Sequence, residues 1–176
     1  MLDRPAHLLI SAVKDHGRSG LLQVISSAVA AALADGSLAL QASSSEFSAA
    51  VSSRNFCLVP IPSSRSSLAK RGFDPVASLA KLVARELGVK VNRGLRLVRQ
   101  TRDQRSLTVE QREQNLAGAM RFELPHAQRA PALLIDDVVT TGATLLEGRR
   151  AIEAEGIPVL GFVTFAETRS NRDAKS

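Results

Sequence analysis

The chain contains a single cysteine, Cys57. It can form neither an internal disulfide nor a cysteine-based zinc cluster, so disulfide scaffolds and zinc ribbons are excluded within it and a reduced, cytoplasmic setting is expected. Tryptophan and tyrosine are absent and phenylalanine occurs six times, which leaves few flat faces on which nucleic-acid bases could stack. Long hydrophobic runs are missing too. The apolar run in MLDRPAHLLISAVKDHG is broken by Ser11 and stopped by Lys14 and Asp15, leaving no secretory core segment. The stretch Leu21 to Ala34 is interrupted by Gln23, Ser26 and Ser27 and falls short of the ~20 residues of a bilayer span; no membrane contact is expected. Neither GxxxxGKS/T nor GxGxxG occurs, against a P-loop ATPase or a dinucleotide fold. His7, His16 and His126 are far apart and lack metal-ligand spacing.

What remains is a chain of 176 residues, 44% apolar, with 23 Lys and Arg against 17 Asp and Glu for a net charge of +6. That is the size of one domain, large enough to bury about 70% of its unfolded surface. Leu8 to Val13 and Leu21 to Leu33 read as helices joined at Gly17 to Gly20, a helical segment over 1–40 that packs on the core. The Ser-rich stretch Gln41 to Ser53 reads as a surface loop or loosely packed connection. Phe56 to Ile61 reads as a buried strand closed by Pro62, followed by the basic loop SSRSSLAKRG. Phe73 to Leu87 has apolar residues at three and four spacing and Gly88 as its stop. Leu95 to Val98 suggests a strand. Thr108 to Ala119 opens with capping-box spacing between Thr108 and Gln111 and suggests a helix. Leu133 to Ile135 is a strand, Thr144 to Ala154 a helix, and Val159 to Phe165 a strand. Strands alternating with helices imply an α/β fold with a mainly parallel sheet flanked by helices, its core over 54–168 and a polar tail over 169–176.

Chemistry concentrates in ALLIDDVVTTGATL, residues Ala132 to Leu145. Ligands in open α/β sheets bind outside the carboxyl ends of strands, and Asp136 and Asp137 stand where the strand LLI gives out. Thr140, Thr141 and Thr144 add hydroxyls, Gly142 lets backbone approach a ligand, and the helix start offers free N–H groups suited to a phosphate. Thr144 and Glu147 have capping-box spacing. Carboxylates that accept sugar hydroxyls beside a phosphate cradle suit a ribose 5-phosphate.

LLIDDVVTTGATL resembles the phosphoribosyl pyrophosphate (PRPP) motif of type I phosphoribosyltransferases. VPIPSSRSSLAKRGFDPVASLAKLVARELG and RQTRDQRSLTVEQREQNLAGAMRF resemble the corresponding blocks of the ComF (competence protein F)-like family, which carries that domain. The resemblance covers about Leu8 to Phe165. It implies a type I phosphoribosyltransferase fold in which Asp136 and Asp137 hold the ribose hydroxyls, with Mg²⁺ nearby as cofactor, and Val139, Thr140, Thr141, Gly142, Ala143 and Thr144 hold the 5-phosphate. Arg65, Lys70, Arg71 and Gly72 are implied as a pyrophosphate loop, where cations would stabilise a departing group. Thr101, Arg102, Gln104, Arg112 and Asn115 are further family-like positions, Arg102 and Gln104 joining the two aspartates as catalytic candidates.

The basic excess accompanies them. Between Lys90 and Arg121 stand eight basic residues and three acidic ones, a net +5, which suits a polyphosphate ligand and, as an alternative, a solvated face or a nucleic-acid patch. The resemblance implies PRPP and pyrophosphate as ligands, leaves a homo-oligomer open, and suggests a DNA-uptake helicase as partner. Two features depart from it. The family's Cys-rich zinc ribbon is missing from this sequence, which starts at the following helical stretch containing Lys14. Thr140 stands where purine-salvage enzymes usually have an acid, so a purine-ring proton lacks an acceptor. The expected activity is ribosyl 5-phosphate transfer from PRPP to an unknown acceptor, or, alternatively, PRPP sensing without transfer in DNA uptake.

Overall fold

The computed structural model describes residues 19–35, 45–99, 115–123, 129–139 and 142–167. The expected helix over Leu8 to Val13, residues 108–114 of the one over Thr108 to Ala119, and the three histidines lie outside the described residues.

Among the described residues two helices come first, α1 (Ser19–Ala34) and α2 (Ser45–Ser53). From Ser45 onward the Ser-rich stretch is therefore a helix and not a loop. Phe47 and Val51 lie one turn apart on α2 and both reach the core, Phe47 fully buried, so two apolar side chains at helical spacing outweigh the weak propensity of the serines. Ser53 donates its hydroxyl to the Ala49 carbonyl at 2.7 Å, closing the last turn. On α1 the serines that interrupt the apolar run have a function as well. Ser26 is fully buried, and its Oγ lies 2.9 Å from the Gln23 carbonyl and 3.0 Å from the Glu86 carboxylate on a neighbouring helix.

Strand β1 (Cys57–Pro60) follows, buried along its length, then α3 (Arg65–Arg71) and α4 (Pro75–Leu87). Asp74 caps α4 by accepting the Ala77 N–H at 3.1 Å, Pro75 takes the first-turn position where its missing N–H costs nothing, and Gly88 ends the helix with φ +69°. Next come β2 (Lys90–Val91), β3 (Leu95–Leu97), β4 (Met120–Phe122), β5 (Ala132–Val139), α5 (Ala143–Glu153) and β6 (Val159–Glu167).

The main sheet is parallel, in the order β2-β1-β5-β6. The expected α/β architecture with helices on both faces is met. Alternation along β1 and β5 sorts the core: Leu58, Leu133 and Ile135 pack with α1, α2 and α4, while Cys57, Val59, Ala132 and Leu134 pack with α5 and the antiparallel β3–β4 hairpin. Gly148 brings α5 close to the sheet, since a Cβ there would stand 3.0 Å from Ile61 Cδ1 and 3.1 Å from Leu134 Cδ2.

Two boundaries differ from expectation in ways that matter for function. Strand β5 does not give out at Ile135; pairing with β6 continues through Asp136↔Thr164 to Val139↔Glu167. The basic stretch after Pro62 is not an open loop, because Ser64 accepts the Ser67 N–H at 3.2 Å and Gly72 takes φ +73°, which together bound the helix α3.

Candidate functional site

In this order β2 is added on one side of β1 and β6 on the opposite side of β5, so strand order reverses between β1 and β5, and the crevice at such a switch point, outside the carboxyl ends of the strands, is where open α/β sheets bind ligands. β1 and β5 are in register there, Pro60 opposite Ile135, and the Ile61 N–H donates to the Ile135 carbonyl at 3.0 Å. The connection after β1 and the aspartate pair on β5 are thereby brought side by side.

Asp136 and Asp137 are both half-buried. As successive residues of a strand they stand toward opposite faces of the sheet, and the Asp137 N–H donates to Asp136 Oδ1 at 2.8 Å. Val139 closes the strand opposite Glu167. Thr140 and Thr141 lie outside the described residues, as do Thr101, Arg102, Gln104 and Arg112. The described residues resume at Gly142, the N-cap of α5, with φ +76° and no side-chain cap. A Cβ at Gly142 would meet nothing within 4 Å, so this glycine is needed for its left-handed backbone and not for space. Ala143 is buried and Thr144 half-buried at the first turn of α5.

The expected capping box between Thr144 and Glu147 does not form. Glu147 sits in the second turn of α5 and is only 5% exposed; its Oε1 accepts the Met120 N–H of β4 at 3.0 Å. Arg150 donates to both Glu147 oxygens at 2.8 Å and to the Met120 carbonyl at 2.9 Å. Burial alone would raise the Glu147 pKa, but hydrogen bonds from Arg150, Met120 and Gly118 outweigh it and hold the carboxyl below its ordinary value. This clamp ties the helix that starts at the candidate phosphate cradle to the β3–β4 hairpin.

Beside the strand tips lies a cavity of about 560 Å³ between the β1–α4 connection and β3. Ile61, Pro62, Leu68, Leu95 and Leu97 form apolar walls, and Arg65, Asp74, Arg93 and Arg96 bring charge. Of the four residues expected as a pyrophosphate loop, Arg65 lines the cavity; Lys70, Arg71 and Gly72 sit at the far end of α3 and do not. Arg93 and Arg96 were visible in the sequence only as part of a basic segment, and their shared position in the cavity follows from the hairpin's fold over the sheet. Arg99 turns elsewhere, its Nη2 donating to the carbonyls of Asn115 at 2.9 Å and Ala117 at 2.8 Å.

Among the described residues no group of three or more His, Cys, Asp or Glu side chains could hold a metal ion. Mg²⁺ is commonly held by one or two carboxylates together with ligand phosphates. Either carboxylate, Asp136 or Asp137, fits that arrangement; standing toward opposite faces of β5, the two form no all-protein cage. No described helix is long and apolar enough to cross a membrane.

No protein-family profile matches the chain. It is 30% identical over 106 residues to Competence protein F of Haemophilus influenzae, an alignment covering 57% of this chain and 45% of that protein. It is 38% identical over 79 residues to the DNA utilization protein YhgH of Salmonella typhi and to that of Salmonella typhimurium, covering 44% of this chain and 34% of each relative. The chain thus spans less than half the length of these curated relatives, and the similarities support a ComF-like family.

Proposed function

We propose that this chain is a ComF-like component of DNA uptake and utilization whose site at the β1–β5 switch point binds PRPP with Mg²⁺. One observation carries the ligand reading: an aspartate pair in the second half of β5, two residues before its end, is followed within a few residues by the glycine-capped start of α5. The DNA reading is supported by what the relatives are called. In this reading the protein has a type I phosphoribosyltransferase fold, works in the cytoplasm and serves a DNA-uptake helicase.

The chain's own groups divide the ligand between them. Asp136 and Asp137 accept hydrogen bonds from the ribose hydroxyls, and the N–H groups at the start of α5 with the Thr144 hydroxyl take the 5-phosphate, aided by the helix dipole. Bound with the ligand, Mg²⁺ would neutralise phosphate charge beside the two carboxylates. A second reading, transfer, is favoured by the cavity next to these strand tips, which has room for another substrate. In it the acceptor's lone pair forms a bond to ribose C1 as the C1–O bond breaks, and pyrophosphate leaves with the electron pair. Arg65 would stabilise the charge that grows on the leaving group.

Calorimetry with PRPP and Mg²⁺ on the wild type, Asp136→Asn and Asp137→Asn tests the proposal. Binding by the wild type weakened about tenfold or more by each substitution is expected, one lost charged contact being worth about 1.5–3 kcal/mol. No binding to the wild type overturns it. Pyrophosphate release with any of a panel of nucleobases and amines assigns transfer; binding without release assigns a sensing or accessory module.

A further inference from the structure

We propose that the cavity between β3 and the β1–α4 connection is a second ligand site, which takes a small organic carboxylate with an apolar body. The inference rests on the reading above only in placing the phosphoribosyl ligand at the neighbouring β5–α5 turn.

Charge selects an anion. Three guanidinium groups face one carboxylate in the lining, and two of the four are already engaged. Arg96 is paired with Glu123 at 3.0 Å on the surface. Asp74 Oδ1 accepts the Ala77 N–H at 3.1 Å and the Ser63 hydroxyl at 3.3 Å. Arg65 is left to the pyrophosphate of the transfer reading, while Arg93 has no salt-bridge partner among the described residues, and its planar guanidinium offers a carboxylate two parallel hydrogen bonds.

The Arg93 side chain is exposed, and backbone geometry fixes the point at which it leaves the chain. The Asn92 N–H donates to the Leu58 carbonyl at 2.8 Å, and Asn92 Oδ1 accepts the Gly94 N–H, also at 2.8 Å. A Cβ on Gly94 would collide with the Glu123 carbonyl oxygen, so this turn fits against β4 only with glycine there. Arg93 therefore leaves a turn locked on both sides.

The walls select an organic ligand over a bare polyphosphate. Ile61, Leu68, Leu95 and Leu97 present apolar surface, which pyrophosphate would leave wet and a hydrocarbon body would cover. A volume of about 560 Å³ is that of a small-molecule pocket.

The test titrates the full chain with benzoate and with its neutral isostere benzamide, following backbone amide resonances and heat, and repeats both with Arg93→Gln and with PRPP. Benzoate is expected to shift the resonances of Arg93, Leu95 and Leu97 and to bind about tenfold tighter than benzamide, one charge-assisted contact's worth. Arg93→Gln removes that preference and leaves PRPP affinity within about twofold. Equal binding of benzoate and benzamide, or no shift at those resonances, overturns the proposal. So does an equal loss of PRPP and benzoate affinity in Arg93→Gln, which would make the cavity part of the pyrophosphate site. Benzoate binding that depends on Arg93 in a protein that fails to bind PRPP leaves this site standing and removes the PRPP reading alone.

Discussion

Glu147 reaches from α5 to β4 and accepts the Met120 backbone N–H at 3.0 Å, while Arg150, three residues along the same helix, donates to the Met120 carbonyl at 2.9 Å. Both backbone groups of one strand residue are thereby satisfied by one helix. The hairpin that carries Leu95 and Leu97 into the cavity is held to the helix that begins at Gly142.

Removing the carboxylate strands a buried donor. Glu147→Ala is expected to lower stability by about 2 kcal/mol, the cost of leaving the Met120 N–H without a partner, with little added for Arg150 because that side chain is half exposed. Urea denaturation at neutral pH measures it. A loss within about 0.5 kcal/mol, the range of an ordinary surface substitution, would refute the clamp.

The same carboxyl sets a pH dependence. Its folded-state pKa lies below the ordinary value, so its contribution is present above the unfolded glutamate pKa of about 4.3 and is lost as pH falls from there through the lower folded value. Glu147→Gln keeps an acceptor for Met120 but cannot titrate. Between pH 6 and pH 3.5 the wild type should lose more stability than Glu147→Gln in the same urea series; parallel losses contradict the assignment.

Gly148→Ala sets helix propensity against packing. Alanine favours the helix by about 1 kcal/mol, but its methyl would stand 3.0 Å from Ile61 Cδ1 and 3.1 Å from Leu134 Cδ2, an overpacking that costs about 1–3 kcal/mol. A net loss of about 1 kcal/mol is expected by thermal denaturation. Ile61→Val in the same chain should recover part of it, because the crowded methyl is then gone; additive losses in the double variant would exclude direct contact.

Gly142→Ala meets no obstacle in space, yet forces a side chain into φ +76°. The expected loss is about 1–2 kcal/mol, accompanied by weaker PRPP binding as the first turn of α5 shifts. Gly142→Asn should lose less of both, since asparagine tolerates the left-handed region. Equal tolerance of alanine and asparagine would argue against a left-handed N-cap.

Cys57 is buried at the start of β1, and burial pushes its thiol pKa up to about 11. At pH 8 only about one thiol in a thousand is ionised, so an aromatic disulfide reagent should react slowly with the folded protein and quickly in denaturant, where the pKa returns to about 8.5. Because the folded pKa is raised, stability tied to this group is whole below about pH 8.5 and falls as pH rises toward 11. Rapid labelling of the native protein would contradict the burial.

The elements that were legible in the sequence are those written in local chemistry. Gly88 stops α4 in the left-handed region as its place in the sequence suggests, although the helix starts at Pro75 behind the Asp74 cap and not at Phe73, and the apolar runs at Cys57–Pro60 and Leu133–Ile135 are strands. Sequence periodicity fails where long-range contacts decide. Ser45–Ser53 looks like a connection until Phe47 and Val51 find the core, and Asp136 and Asp137 look like the end of a strand although pairing with β6 carries the extended backbone on to Val139. The site divides in the same way. The aspartate pair and the glycine before α5 can be read from one contiguous motif, whereas Arg65 and Arg93 come from separate segments and share a cavity only through the fold.

By itself, then, the sequence determined the α/β class, the glycine stop of α4 and the position of the acidic motif, because each depends on residues within one turn or one strand of each other. Tertiary structure decided that Glu147 serves Met120 instead of capping its own helix, that Arg65 and not Lys70 or Arg71 lines the cavity, and that Arg93 stands beside it. A buried carboxylate takes the donor that folding brings nearest, and which donor that is depends on how the β3–β4 hairpin packs against α5.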